Sequence, residues 1–190
     1  HHTYIVPANP VIKQVSYIIS MTELILLANI IIKWRKSYRK KVDAQYHLAY
    51  NFFRSADTWI LLNLVLAIAI SVPYINKYTH GTQITVAHAM GATIWINTML
   101  LFASVSFIFE HQLNNRSKKT IGLGLKIMNI SLFLFWTSLI SAGIVKSISI
   151  AHHMRFGEIS LKLQPYLRFF SASGIFLITG IFLVAFPIIK

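Results

Sequence analysis

Apolar residues gather into five long runs, at about 11–32, 58–75, 85–109, 125–148 and 169–189, and each is nearly free of charge. An α-helix rises about 1.5 Å per residue, so about 20 residues cross a hydrocarbon layer of about 30 Å. The pattern therefore predicts an all-α polytopic membrane protein with five transmembrane helices. No internal repeat or low-complexity linker divides 1–190, which reads as a single membrane domain. One polar position interrupts the pattern. Glu23 is the only acidic residue deep inside any of the five runs, and an ionisable group there costs at least a few kcal/mol. Such a carboxyl either faces a cavity, a partner or a metal, or is protonated and hydrogen-bonded to a neighbouring helix.

Composition agrees with the pattern. Hydrophobic residues make up 55% of the 190 and charged residues 12%, with a mean hydropathy of +0.60, too apolar for a soluble domain of this size. A net charge of +13 would point to nucleic acid in a soluble protein. Here the basic residues sit between the runs, so no nucleic-acid partner is expected, and the surrounding lipid is the expected contact. Lys33, Arg35, Lys36, Arg39, Lys40, Lys41, Arg54, Arg116, Lys118, Lys119, Lys126 and Lys190 fall on one side. Lys13, Lys77, Lys146, Arg155, Lys162 and Arg168 fall on the other. The richer side is inside by the positive-inside rule, which puts the N-terminal end and the loops around 78–83 and 152–165 outside and the C-terminus in the cytoplasm.

The chain has no cysteine, which excludes thiolate and iron–sulfur sites and leaves imidazole, carboxylate or thioether for any metal. It begins "HHTYIVPANP" with no initiator methionine, and the expectation is a fragment or split half of a larger subunit. Topology brings His1, His2, His80 and His88 toward the outer face, whereas His47 and His111 lie in the inner loops. His1 and His2 converge on one ion only in irregular backbone; the alternative is a surface accident. His152 and His153 read as ordinary loop residues. The segment "THGTQITVAHAMGATIWINTM" is rich in small residues, which admit a flat macrocycle or another helix. His88 and Met90 are two positions apart and project about 200° from each other. A haem ligand and a buried imidazole are both open for His88. For Met90 the choice lies between a ligand and ordinary packing.

"HHTYIVPANP", Glu23, "YTHGTQITVAH", "NNRS" and "SAGIV" follow one another in an order and spacing that resemble the second half of the catalytic large subunit of bacterial respiratory nitric oxide reductases, members of the haem-copper oxidase superfamily. The resemblance runs along nearly the whole chain and would make the five helices the last five of a twelve-helix core. It implies that His1 and His2 are two ligands of a non-haem iron, that Glu23 is a carboxylate beside that iron with a catalytic part in proton relay, and that His88 is the axial ligand of a high-spin haem b. His80 and Thr82 would lie near the haem propionates. Where the family has a second histidine for a low-spin haem b, this chain has Met90, so that haem is ligated by a thioether, bound differently, or missing.

The resemblance further implies a bacterial inner-membrane location, an upstream remainder of the subunit carrying the other ligands, and a cytochrome c subunit or quinol as electron donor. The implied reaction couples two nitric oxide molecules to nitrous oxide and water, using two electrons and two protons. An oxygen-reducing haem-copper oxidase with copper in place of iron is one alternative, and Glu23 counts against it. The other is a non-catalytic membrane subunit that has lost its cofactors, for which Met90 is the best argument.

Overall fold

In the computed structural model, residues 9–38 and 46–189 are described. Following the charge asymmetry, the end of the bundle carrying 72–83 is called outer and the end carrying 110–114 inner. The elements are helices α1 (Pro10–Tyr38), α2 (His47–Ser71), α3 (Pro73–Thr79) and α4 (Gln83–Met90), a π-helical stretch (Gly91–Ile96), and helices α5 (Asn97–Phe109), α6 (Asn115–Ala151) and α7 (Phe156–Ile189). The described residues contain no strand. Five of the helical segments are long and apolar enough to cross a membrane: Pro10–Lys33, His47–Ser71, Gln83–Phe109, Asn115–Ala151 and Phe156–Ile189.

These segments are longer than the apolar runs at 58–75, 125–148 and 169–189, for one physical reason. The runs stop where charge begins, but a helix can carry charge on its uncovered face and continue. Thus α2 starts eleven residues before 58, at His47, and takes in Arg54 and Asp57. Likewise α6 takes in Lys118, Lys119 and Lys126, and α7 takes in Glu158, Lys162 and Arg168. At its other end α2 stops at Ser71, because Pro73 cannot continue the amide ladder and instead opens α3 at its first turn.

Helices α6 and α7 form the most extensive pair, and α5 packs along α2. The core lies between α2, the π-helical stretch, α5, α6 and α7, around Phe52, Trp95, Met99, Met128, Leu132 and Val184. At its centre three indoles meet, with centroid separations of 4.6 Å for Trp59–Trp95, 5.8 Å for Trp95–Trp136 and 6.3 Å for Trp59–Trp136. Offset and edge-to-face pairs of this kind stabilise a core beyond the area they bury. Trp59 Nε1 donates to Asn129 Oδ1 at 3.0 Å, which ties α2 to α6.

The first helix stands apart. Most of its large apolar side chains, among them Val11, Ile12, Ile18, Ile25 and Ile30, are exposed, Ile31 is buried, and its main contact is with α2. There Arg35 Nε meets Asp57 Oδ2 at 2.9 Å. Glu23 is therefore not the only acid deep in a span, because the earlier start of α2 places Asp57, 5% exposed, inside the second one.

Candidate functional site

The segment bearing most of the candidate residues is held by its neighbours before it becomes helical. Thr82 sits at the N-cap of α4, where its hydroxyl accepts from the Ile84 amide at 3.3 Å and donates to the Thr79 carbonyl at 2.6 Å. That satisfies an amide the first turn of a helix leaves without a partner. From α6, Lys146 Nζ donates to the Gly81 carbonyl at 2.9 Å and Ser147 Oγ to the Tyr78 carbonyl at 2.7 Å. Gly143 of the "SAGIV" segment lets α4 come this close to α6, since a Cβ there would stand 2.6 Å from the Ile84 amide nitrogen. The loop 78–83 is thus fixed at one height on α6.

From Thr82 the chain enters α4, and His88 follows about 8 Å along the axis from Gln83. Its ring is half-buried. Nδ1 lies 3.1 Å from Oδ1 of Asn63, itself 5% exposed on α2. With the amide oxygen as acceptor, Nδ1 carries the proton and the lone pair is on Nε2, the tautomer a metal-ligating imidazole needs. Gly91 makes room for this contact, because a Cβ there would fall 2.5 Å from Asn63 Oδ1. The π-helical stretch begins at the same glycine, and such local widening of a helix is frequent at functional sites. Ala89, Ala92 and Thr93, beside His88, are small and exposed.

An axially ligated haem needs a free imidazole nitrogen on an oriented ring, with no bulky side chain beside it. The imidazole held by Asn63 and the small, uncovered residues next to it fit those needs. The fit stops short of a metal centre built from several side chains. Among the described residues no three His, Asp or Glu stand close enough to hold an ion.

The other candidates are placed as follows. His1 and His2 lie outside the described residues. Glu23 is exposed on α1, about 20 Å along the axis from Pro10, with no hydrogen-bond partner among the described residues. The structure does not bring it into contact with His88. His80, at the C-cap of α3, is exposed. Thr82 is 3% exposed, its hydroxyl engaged in the turn and cap contacts. Met90 is half-buried and packs against the central core, away from the uncovered residues near His88. At the inner end His47 is exposed, its Nδ1 3.1 Å from Asn51 Nδ2, and His111 stands edge-on to Tyr46. His153, just past the end of α6, has a left-handed φ of 53°.

Three residues escaped the sequence reading. Asn63 is an uncharged polar residue inside an apolar run, a signal that went unused. Asp57 was cut off with the loop before the second run. Glu110 closes α5 and is 2% exposed, and its two oxygens accept the Leu48 and Ala49 amides at 2.9 and 3.3 Å, capping α2 from another helix.

A bundle of long apolar helices defines a multi-pass membrane protein, and one of those helices carries an imidazole held by a neighbouring helix. The chain belongs to the family of cytochrome c and quinol oxidase polypeptide I, whose pattern matches residues 1–176. No curated protein matches it. Members of this family are membrane oxidoreductases that bind haem and work with other subunits and electron donors.

Proposed function

We propose that the chain is part of the catalytic subunit of a nitric oxide reductase, with His88 as axial ligand of a high-spin haem b. The observation that carries the reading is the half-buried imidazole of His88, its Nδ1 3.1 Å from Asn63 Oδ1 and its chain neighbours small and uncovered, in a chain of the haem-copper oxidase type. Choosing nitric oxide over oxygen rests on Glu23, a carboxylate within the first span where a hard non-haem iron finds an oxygen ligand. His1 and His2 complete the iron's ligands from this chain, with the remainder supplied by an upstream part of the subunit.

When bound, the two iron centres supply two adjacent positions for nitric oxide, so that two molecules couple with two electrons and two protons to give nitrous oxide and water. The chain's own part is positional and protonic. Asn63 and Gly91 fix the His88 ring, the α6 contacts to 78–83 set its height, and Glu23 offsets positive charge and passes protons. His80 and Thr82, at the same end of the bundle as the start of α4, would lie on the side of the propionates of a haem held by His88. Electrons come from a cytochrome c subunit or quinol in the bacterial inner membrane.

Oxygen reduction is the second reading, equally consistent with the family match, whose description names oxidases. In His88→Ala the high-spin haem absorbance should disappear while any low-spin absorbance persists; retention of both would end His88's assignment. Metal analysis of the purified complex separates the two reactions. Iron beyond the haem content supports the reductase, and copper in its place supports the oxidase.

A further inference from the structure

At the inner end, far from His88, a cavity of about 780 Å³ opens between α2 and α6. Arg54 reaches it from α2, and Lys118, Lys119 and Lys126 from α6. None of the four takes part in an ion pair among the described residues, and all but the half-buried Lys118 are exposed. The acid in the lining, Glu110, is already committed, with both oxygens on the first amides of α2. Of the neutral polar groups, His47 and Asn51 face each other through Nδ1 and Nδ2 at 3.1 Å, and others are committed to neighbours. Asn129 accepts from Trp59 and donates to Ser55 and Leu125, and the Thr58 hydroxyl donates to the Arg54 carbonyl.

The cavity thus offers four cations against one committed acid, with His47 and Asn51 as further polar groups, so it selects for negative charge. Its wall is also graded. Lys118 and Lys119 lie in the first turns of α6, while Lys126 is about 12 Å further along the helix, within the span, next to the exposed Leu123. Cations near a membrane surface with an apolar side chain below them suit an anionic head that carries or resembles a phosphate.

We propose that this groove is a binding site for a phosphate-bearing anion, read by Arg54, Lys118, Lys119 and Lys126. Two sources share that chemistry, an anionic phospholipid headgroup and a free phosphate. The test uses the complete complex, purified in nonionic detergent, stripped of lipid and followed by native mass spectrometry. It is titrated with phosphatidylglycerol, with phosphatidylcholine, and with phosphatidylglycerol in the presence of millimolar inorganic phosphate.

A preference for phosphatidylglycerol of about tenfold is expected, lost in R54Q/K118Q/K126Q and kept in R155Q/K162Q/R168Q, which removes equal charge at the outer end. Displacement by inorganic phosphate supports the site with free anions as the source, and resistance to it supports the site with the headgroup as the source. Equal binding of both lipids, or an unchanged preference in the inner triple variant, would overturn the proposal. So would cross-linking of a cysteine introduced at Lys126 to another polypeptide seated in the groove. Should the triple variant fail to fold, K126Q alone is expected to lose about threefold in preference, and no loss there counts against the site.

Discussion

At the residue scale the decisive contact is between Asn63 and His88. A ligating imidazole is oriented by the group that binds its other nitrogen, and loss of that partner typically costs about 10–100-fold in affinity or activity. Asn63→Leu should therefore weaken haem retention by about that factor and shift the iron–histidine stretching band in resonance Raman spectra. Gly91→Ala should reproduce the shift, because its Cβ would displace the Asn63 amide. A band unmoved in both variants would show that another group orients the ring. Met90 is a different case. Its packing against the core is visible, and Met90→Leu, a volume-conserving change costing less than about 1.5 kcal/mol, tests whether it also ligates. Unaltered low-spin absorbance would leave it as packing, and a lost band would assign the thioether to haem. The sequence singled out His88 by composition around it, but not Asn63, 25 positions earlier, because nothing local to an asparagine in an apolar run says which helix it will face.

At the scale of elements, the apolar pattern picked out the five helices that, among the described residues, are long and apolar enough to cross a membrane, but not where α2, α6 and α7 begin. Arg54 and Asp57 in α2, and Lys118 to Lys126 in α6, broke the apolar runs without breaking the helices. The π-helical stretch was equally hidden, since it is a change of hydrogen-bond register within one apolar segment. The Arg35–Asp57 pair is the clearest consequence of the longer α2. Asp57 is buried and Arg35 partly exposed, so removing the arginine leaves a buried charge without its partner. Discounted for the exposure of Arg35, Arg35→Ala should cost about 1–2 kcal/mol. Adding Asp57→Asn should recover most of that, as read by thermal unfolding in detergent. If the double variant is no more stable than the single, the pair does not anchor α1 to α2.

At the scale of the molecule, an odd number of spans would put the start of α1 and the end of α7 on opposite faces of a membrane, and the positive-inside rule assigns the faces as an expectation. The structure makes this testable at named positions. Residues 80 and 152 close one end of the bundle and residues 111 and 115 the other, and the chain contains no cysteine, so single cysteines can be introduced without background. In intact cells, a membrane-impermeant maleimide should label His80→Cys and His152→Cys. The same reagent should reach His111→Cys and Asn115→Cys only after the membrane is opened. The reverse pattern would invert the protein. It would place His88 and the loop above it on the cytoplasmic side, and the proposed anion groove would then face the periplasm. The positive-inside rule counts Lys and Arg close to span ends, and the longer α2 and α6 take Arg54, Arg116, Lys118, Lys119 and Lys126 from loops into helices. Lys33, Arg35 and Lys36 at the end of α1 and Arg116, Lys118 and Lys119 in the first turns of α6 still cluster at one end of the bundle, so the expected orientation rests on residues near span ends and not on Arg54 and Lys126 further in.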